Sequence, residues 1–74
     1  MKAEILGEIL KHMYSNAKPK EKAVMIHLFG IKFADELSAC KASPADIAKL
    51  AGIEESYGTE INKGRNLAKY VLVK

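Results

Sequence analysis

The sequence predicts a compact all-α domain of four helices, and three observations support that prediction. Apolar residues recur every three or four positions in the N-terminal segment, which is typical of an amphipathic helix. Ser43-Pro44 is a helix-start signal, and glycines separate short apolar segments in the second half of the chain. A length of 74 residues suits one domain, so residues 1–74 are expected to fold as a single unit.

Two helices are expected in the first half of the chain. Residues 2–14 form the first, with Gly7 as its one poor helix former. Residues 20–38 form the second, whose broad apolar surface suits the centre of a core. A strand over 23–33 is the alternative, because Val, Ile and Phe favour strands and Gly30 disfavours a helix. The helix is preferred because the apolar residues do not alternate.

A third helix is expected over residues 44–51. Ser43 can cap its first turn, and Pro44 suits the first helical position, where the missing amide has no partner to lose. Gly52 follows and suits the left-handed residue that ends a helix.

A fourth helix is expected over residues 56–63 and should stop at Gly64. Residues 68–73 can continue as helix or form a short C-terminal strand, and the sequence leaves both open. The predicted core consists of the apolar residues on the inward faces of these helices: Ile5, Leu6, Ile9, Leu10, Ile26, Phe29, Phe33, Leu37, Ile47, Leu50, Ile53, Ile61 and Leu67.

The composition narrows the possible functions. Cys40 is the only cysteine, and with His12 and His27 it gives no metal-ligand spacing, so neither a disulfide nor a metal site is expected. No nucleophile constellation, phosphate-binding glycine loop or carboxylate pair is present, so no catalytic residue and no cofactor is expected. No apolar run is long enough to cross a bilayer, and the expected location is the cytoplasm. The net charge of +3 is compatible with a polyanionic partner.

The segment from Asp46 to Gly64 has the spacing of two helices joined by a tight turn. Ile47-Ala48 supplies an apolar residue followed by a small one, which lets a second helix cross closely. Ala51-Gly52-Ile53 supplies a small residue, a glycine and an aliphatic residue for the turn, and Ile61 can anchor the second helix inward. Over residues 44–67 the chain resembles the helix-turn-helix DNA-binding superfamily of the phage-repressor type.

The resemblance implies that helix 56–63 is a recognition helix that enters the major groove of DNA. The residues that it implies as DNA-binding lie on this helix or flank it: Ser56, Tyr57, Thr59, Glu60 and Lys63 on the helix, with Lys49, Arg65 and Lys69 as a basic rim. The sequence departs from the family at Gly58, where an aliphatic residue is usual, and Tyr57 is expected to fill that space.

Two functions are compatible with this motif. The first is a small prokaryotic or phage transcriptional regulator that binds double-stranded DNA, and the second is a protein-interaction module in which Glu54, Glu55 and Glu60 form an acidic face. A single recognition helix reads few base pairs, so the first function implies a homodimer on paired half-sites. The first helix and residues 70–73 are the expected dimer surfaces.

Overall fold

The computed structural model describes residues 2–71, and within them five α-helices form and no strand does. The helices are α1 (Ala3–Ser15), α2 (Lys22–Lys32), α3 (Ala34–Ala39), α4 (Pro44–Leu50) and α5 (Gly58–Leu67), with a 3-10 turn at Glu55–Tyr57 before α5. The predicted all-α class is confirmed, and residues 23–33 are helical rather than extended. Residues 68–70 form a turn and Val71 has no regular secondary structure, while Leu72 and Val73 of the expected C-terminal strand lie outside the described residues.

The prediction of one helix over residues 20–38 is wrong, because the chain bends at Phe33. Phe33 has φ −111° and ψ 26°, which ends α2 and starts α3 in a new direction. Its ring stays against Phe29, with the ring centroids 5.4 Å apart, and the bend turns Leu37 into the core. The helix also starts at Lys22 rather than at residue 20, since Lys20 has a positive φ of 71° that no helix accommodates.

The prediction that the last helix spans residues 56–63 is also wrong at both ends. Glu55–Tyr57 is a 3-10 turn, and α5 continues through Gly64 to Leu67. Gly64 is buried against α2, where a side chain would stand 3.0 Å from the Gly30 Cα atom and also meet the His27 carbonyl oxygen. Gly64 therefore allows two helices to cross closely and does not end one.

The core lies between α2, α5 and the helices α1 and α4. Its fully buried large side chains come from all four of these helices: Leu6, Leu10, Ile26, Phe29, Ile47 and Ile61. Leu37 of α3 is also buried, and Ile9, Phe33 and Ile53 pack partly buried around this cluster. These ten residues were all predicted as core.

The core prediction is wrong for three residues, because Ile5, Leu50 and Leu67 are 49%, 47% and 43% exposed. Leu6 takes the inward position on the first turn of α1 and leaves Ile5 outside. Leu50 and Leu67 are the last residues of α4 and α5. The Cβ atom and the carbonyl carbon of Leu50 do pack against α1, at Gly7.

The start of α4 follows the prediction closely. The Asp46 amide donates to Ser43 Oγ at 3.2 Å, and the Ser43 amide donates to Asp46 Oδ2 at 3.2 Å, so the two residues form a reciprocal capping box. The helix ends at Leu50 rather than at residue 51, and Gly52 follows with φ 78°. None of the helices in residues 2–71 has the length and apolar character needed to span a bilayer.

The substitution Gly64→Ala tests the close crossing of α2 and α5. On an exposed helix, Gly→Ala stabilises by about 1 kcal/mol, because alanine is the better helix former. At Gly64 the added methyl group meets the backbone of α2, so we expect a net loss of about 2 kcal/mol or more in the free energy of unfolding. Urea denaturation followed by circular dichroism measures it. Asn66→Ala, at an exposed position on the same helix, is the control, and equal stability of the two variants would contradict the crossing.

Candidate nucleic-acid interface

Helix α4, the turn after it and α5 have the arrangement that the motif predicts. Ile47, Ala48 and Ala51 are buried, and the Ile53 amide donates to the Ala48 carbonyl oxygen at 3.1 Å across the turn. Ile61 is fully buried and anchors the inner face of α5. The two helices are therefore held in a fixed orientation by the core and by the turn.

The sequence departs from the family pattern at Gly58, and close packing explains why glycine stands there. A side chain at Gly58 would stand 2.7 Å from the Ala45 nitrogen and 2.8 Å from the Ala45 Cα atom, so the first turn of α5 lies directly on the backbone of α4. No space is left for an aliphatic residue. Tyr57 was expected to fill that space, but its ring packs instead edge-on against Tyr14 of α1, with the centroids 5.7 Å apart.

Tyr57 therefore takes part in a contact between the motif and the rest of the fold. The hydroxyl groups of Tyr14 and Tyr57 lie 3.5 Å apart, and the hydrogen bond between them, with burial as the next cause, raises the pKa of Tyr14. The Lys22 ammonium donates to the Tyr14 carbonyl oxygen at 2.9 Å and lies 4.6 Å from the centre of its ring. These contacts tie the start of α5 to α1 and α2.

The exposed side of α5 carries four side chains that can form hydrogen bonds. Positions three and four apart share one side of a helix, and here that side holds Thr59, Asn62, Lys63 and Asn66. Thr59, Lys63 and Asn66 are exposed, and Asn62 is half-buried. We call these four residues the polar stripe.

Thr59 and Lys63 were predicted as site residues, whereas Asn62 and Asn66 were missed. The signal for both was present in the sequence as spacing, because Asn62 and Asn66 follow Thr59 by three and seven positions. For Asn66 the spacing is informative only if the helix continues past Gly64, where the sequence suggested that it ended, whereas Asn62 lies within the predicted helix 56–63.

Glu60 is directed toward α2 rather than outward with the polar stripe. Its carboxylate contacts His27 Nε2 of α2 through Oε2, and the Lys63 ammonium lies 3.3 Å from Oε1. The hydrogen bond to His27 is the main cause that lowers the pKa of Glu60, and the hydrogen bond to Lys63 acts in the same direction. The Glu60 side chain is 26% exposed, so it is less available to a ligand than the sequence suggested.

The remaining predicted site residues lie around the two ends of α5. Ser56 is exposed in the 3-10 turn, close in sequence to Glu55, whose carboxylate lies 3.4 Å from the Lys49 ammonium. Arg65 and Lys69 line a groove between α5 and α3, together with Asp35 and Ser38. The structure therefore places Lys49 near the start of α5 and the other two basic residues toward its end.

Arg65 also lines a second groove, which runs between α5 and the start of α4. This groove is formed by the segment 43–45 on one side and by Thr59 and Asn62 on the other, with Glu55 at its edge. Arg65 Nη2 donates a hydrogen bond to Asn62 Oδ1, one turn earlier on α5. The guanidinium group is thereby held beside the polar stripe.

The part of the chain that the structure describes holds no group of three or more His, Cys, Asp or Glu residues suited to a metal ion. Cys40 is a free, half-buried thiol.

The interaction between Glu60 and His27 makes a pH-dependent contribution to stability. Because the pKa of Glu60 is lower in the folded chain than its ordinary value of 4.5, its contribution is present above that value and is lost as the pH falls through the lowered pKa. We expect the thermal midpoint of Glu60→Gln to fall less steeply between about pH 5 and pH 3 than that of the wild type. Glu8→Gln, at an exposed site on α1, should keep the wild-type slope, and equal slopes for all three chains would contradict the assignment.

Comparison with known proteins agrees with this arrangement. A family model described as HTH-like domain matches residues 2–74, nearly the whole chain. Comparisons with curated proteins and with solved structures gave no match. The family match supports a helix-turn-helix relationship without narrowing it to the phage-repressor type. On the extent of that match, the chain belongs to the HTH-like domain family.

Proposed function

We propose that this protein binds double-stranded DNA by inserting α5 into the major groove, and that it acts as a prokaryotic or phage transcriptional regulator. The observation that carries the proposal is the polar stripe, a row of hydrogen-bonding side chains on the outer side of the second helix of a helix-turn-helix fold. Such a helix reads base edges with its exposed polar residues while the core holds it at a fixed angle.

The dimensions of α5 support this role. Its ten residues make a helix about 15 Å long, and the diameter of a helix with its side chains, about 10–12 Å, fits the width of the major groove, about 12 Å. The inner side of α5 is occupied by Ile61 and Gly64 in the core, so only the polar stripe and its edges are free to meet DNA.

The charges around α5 are more favourable for DNA than the sequence suggested. Glu60 is neutralised in part by Lys63 and is hydrogen-bonded to His27, and Glu55 is neutralised in part by Lys49. The second pair is exposed and therefore weak. Arg65 and Lys69 form no ion pair with another residue in 2–71, so their charges are available to DNA at the end of α5.

The alternative is a protein-interaction module with an acidic face. That face would need Glu54, Glu55 and Glu60 to point the same way. Glu60 contacts α2, while Glu54 and Glu55 are exposed before α5, so the three carboxylates do not form one continuous surface. This observation favours DNA as the partner.

The proposal includes a homodimer and a cytoplasmic, non-enzymatic role without a cofactor. One recognition helix contacts few base pairs, and two copies on paired half-sites double the contact area. The exposed apolar residues on α1 and after α5 support these two regions as the dimer surface, with Ile5 49%, Tyr70 82% and Val71 43% exposed. Light scattering measures the mass in solution.

Titration of the chain with random duplex DNA, followed by fluorescence anisotropy at several salt concentrations, tests DNA binding. If three or four phosphates are neutralised, the logarithm of affinity should fall with the logarithm of salt with a slope of about −3 to −4. Lys63→Gln should weaken binding to all sequences and reduce the magnitude of the slope by about 1. Lys32→Gln, whose ammonium lies over the Phe33 ring on α2, should leave the slope unchanged. Absence of binding at low salt would refute the proposal.

Glu55→Gln tests whether DNA binds on the side of the chain that holds the start of α5. The change removes a negative charge near the start of α5 and frees Lys49, and both effects favour a polyanion. We expect affinity for random duplex DNA to rise by about threefold at low salt, and the gain to shrink as salt is added. Glu8→Gln on α1 provides the same charge change away from α5. Weaker DNA binding by Glu55→Gln than by Glu8→Gln would count against the placement of DNA on this side.

A further inference from the structure

Asn62 and Arg65 form a hydrogen-bonded pair at the edge of the polar stripe. Arg65 Nη2 donates to Asn62 Oδ1, and both residues line the groove between α5 and the start of α4. The guanidinium has no carboxylate partner within ion-pair distance in residues 2–71. Arg65 therefore places an unpaired positive charge next to Asn62 in this groove.

The hydrogen bond changes what Asn62 can recognise. An unrestrained asparagine pairs with adenine by accepting a hydrogen bond from the N6 amino group and donating one to N7. In this chain the accepting oxygen of Asn62 already receives a donor from Arg65, and a cation lies beside it. A second lone pair remains on that oxygen, but an adenine amino group approaching it would meet an unfavourable positive charge.

The same arrangement suits guanine. The Asn62 amide group uses Oδ1 for Arg65 and keeps both Nδ2 hydrogens free of that hydrogen bond, and the guanidinium keeps further N–H groups beside them. Guanine offers two acceptors, N7 and O6, on its major-groove edge. A pair of adjacent donors with a positive charge matches these two acceptors.

We propose that the Asn62–Arg65 pair is a specificity-determining unit that selects guanine at one position of the DNA site. This inference rests on the proposed binding of α5 in the major groove. Asn62 contacts the base, and Arg65 both holds the asparagine amide in one orientation and supplies a second donor. Asn66, one turn further along α5, forms no such hydrogen bond with another residue in 2–71.

Selection from a library of randomised DNA duplexes tests the proposal. The wild-type chain should enrich guanine at one position, and Asn62→Ala should lose the preference at that position alone, which identifies it. Arg65→Met keeps the aliphatic stem and removes the guanidinium, so the preference at that position should move from guanine toward adenine by about tenfold. Lys69→Met removes one positive charge from the neighbouring groove and should weaken binding without changing any base preference.

The outcomes distinguish this inference from the function on which it rests. If no chain binds duplex DNA at low salt, the proposed function and the inference both fail. If the wild-type chain binds but prefers adenine at the position that depends on Asn62, or if Arg65→Met keeps the preference for guanine, only the inference fails. Circular dichroism of Arg65→Met, together with unchanged preferences at the other positions, shows that the variant still folds and binds in the same orientation.

Discussion

The crossing of α2 and α5 is the contact on which the rest of the structure depends. Gly30 and Gly64 face each other there, and neither position has room for a side chain: a methyl group on Gly30 would stand 2.9 Å from the Gly64 Cα atom. The close approach brings Ile26 and Ile61 into one buried layer. It also brings His27 within reach of Glu60, so the pKa of a carboxyl group on α5 is lowered by a residue on another helix.

Much of the fold could be predicted from local signals. The capping box at Ser43 and Asp46 and the left-handed residue Gly52 depend on neighbours within a few positions, and the sequence contains all of them. The buried residues of the motif, such as Ile47 and Ile61, could be predicted because their spacing is that of the helix itself.

The errors arose where a contact distant in sequence decides the local structure. Gly64 has the appearance of a helix end, and only the presence of Gly30 across the interface explains why the helix continues. The bend at Phe33 likewise has no local signal in the sequence, since neither proline nor glycine stands at that position. Glu60 was expected to face outward. Its partner His27 lies 33 positions away, so the pattern of residues around Glu60 could not predict this contact.

The glycines at the helix crossings determine which positions of the chain tolerate substitution. Helices held by backbone contact leave little tolerance on their inner sides, where even a methyl group at Gly58 or Gly64 collides with a neighbouring main chain. The outer side of α5 contributes nothing to these contacts. The chain therefore separates a rigid scaffold from a surface that is free to vary, and residues such as Thr59 and Asn66 can be exchanged without altering the angle of the helix that presents them. A scaffold of this kind lends itself to diversification of its outer surface, both by natural sequence drift and by laboratory design.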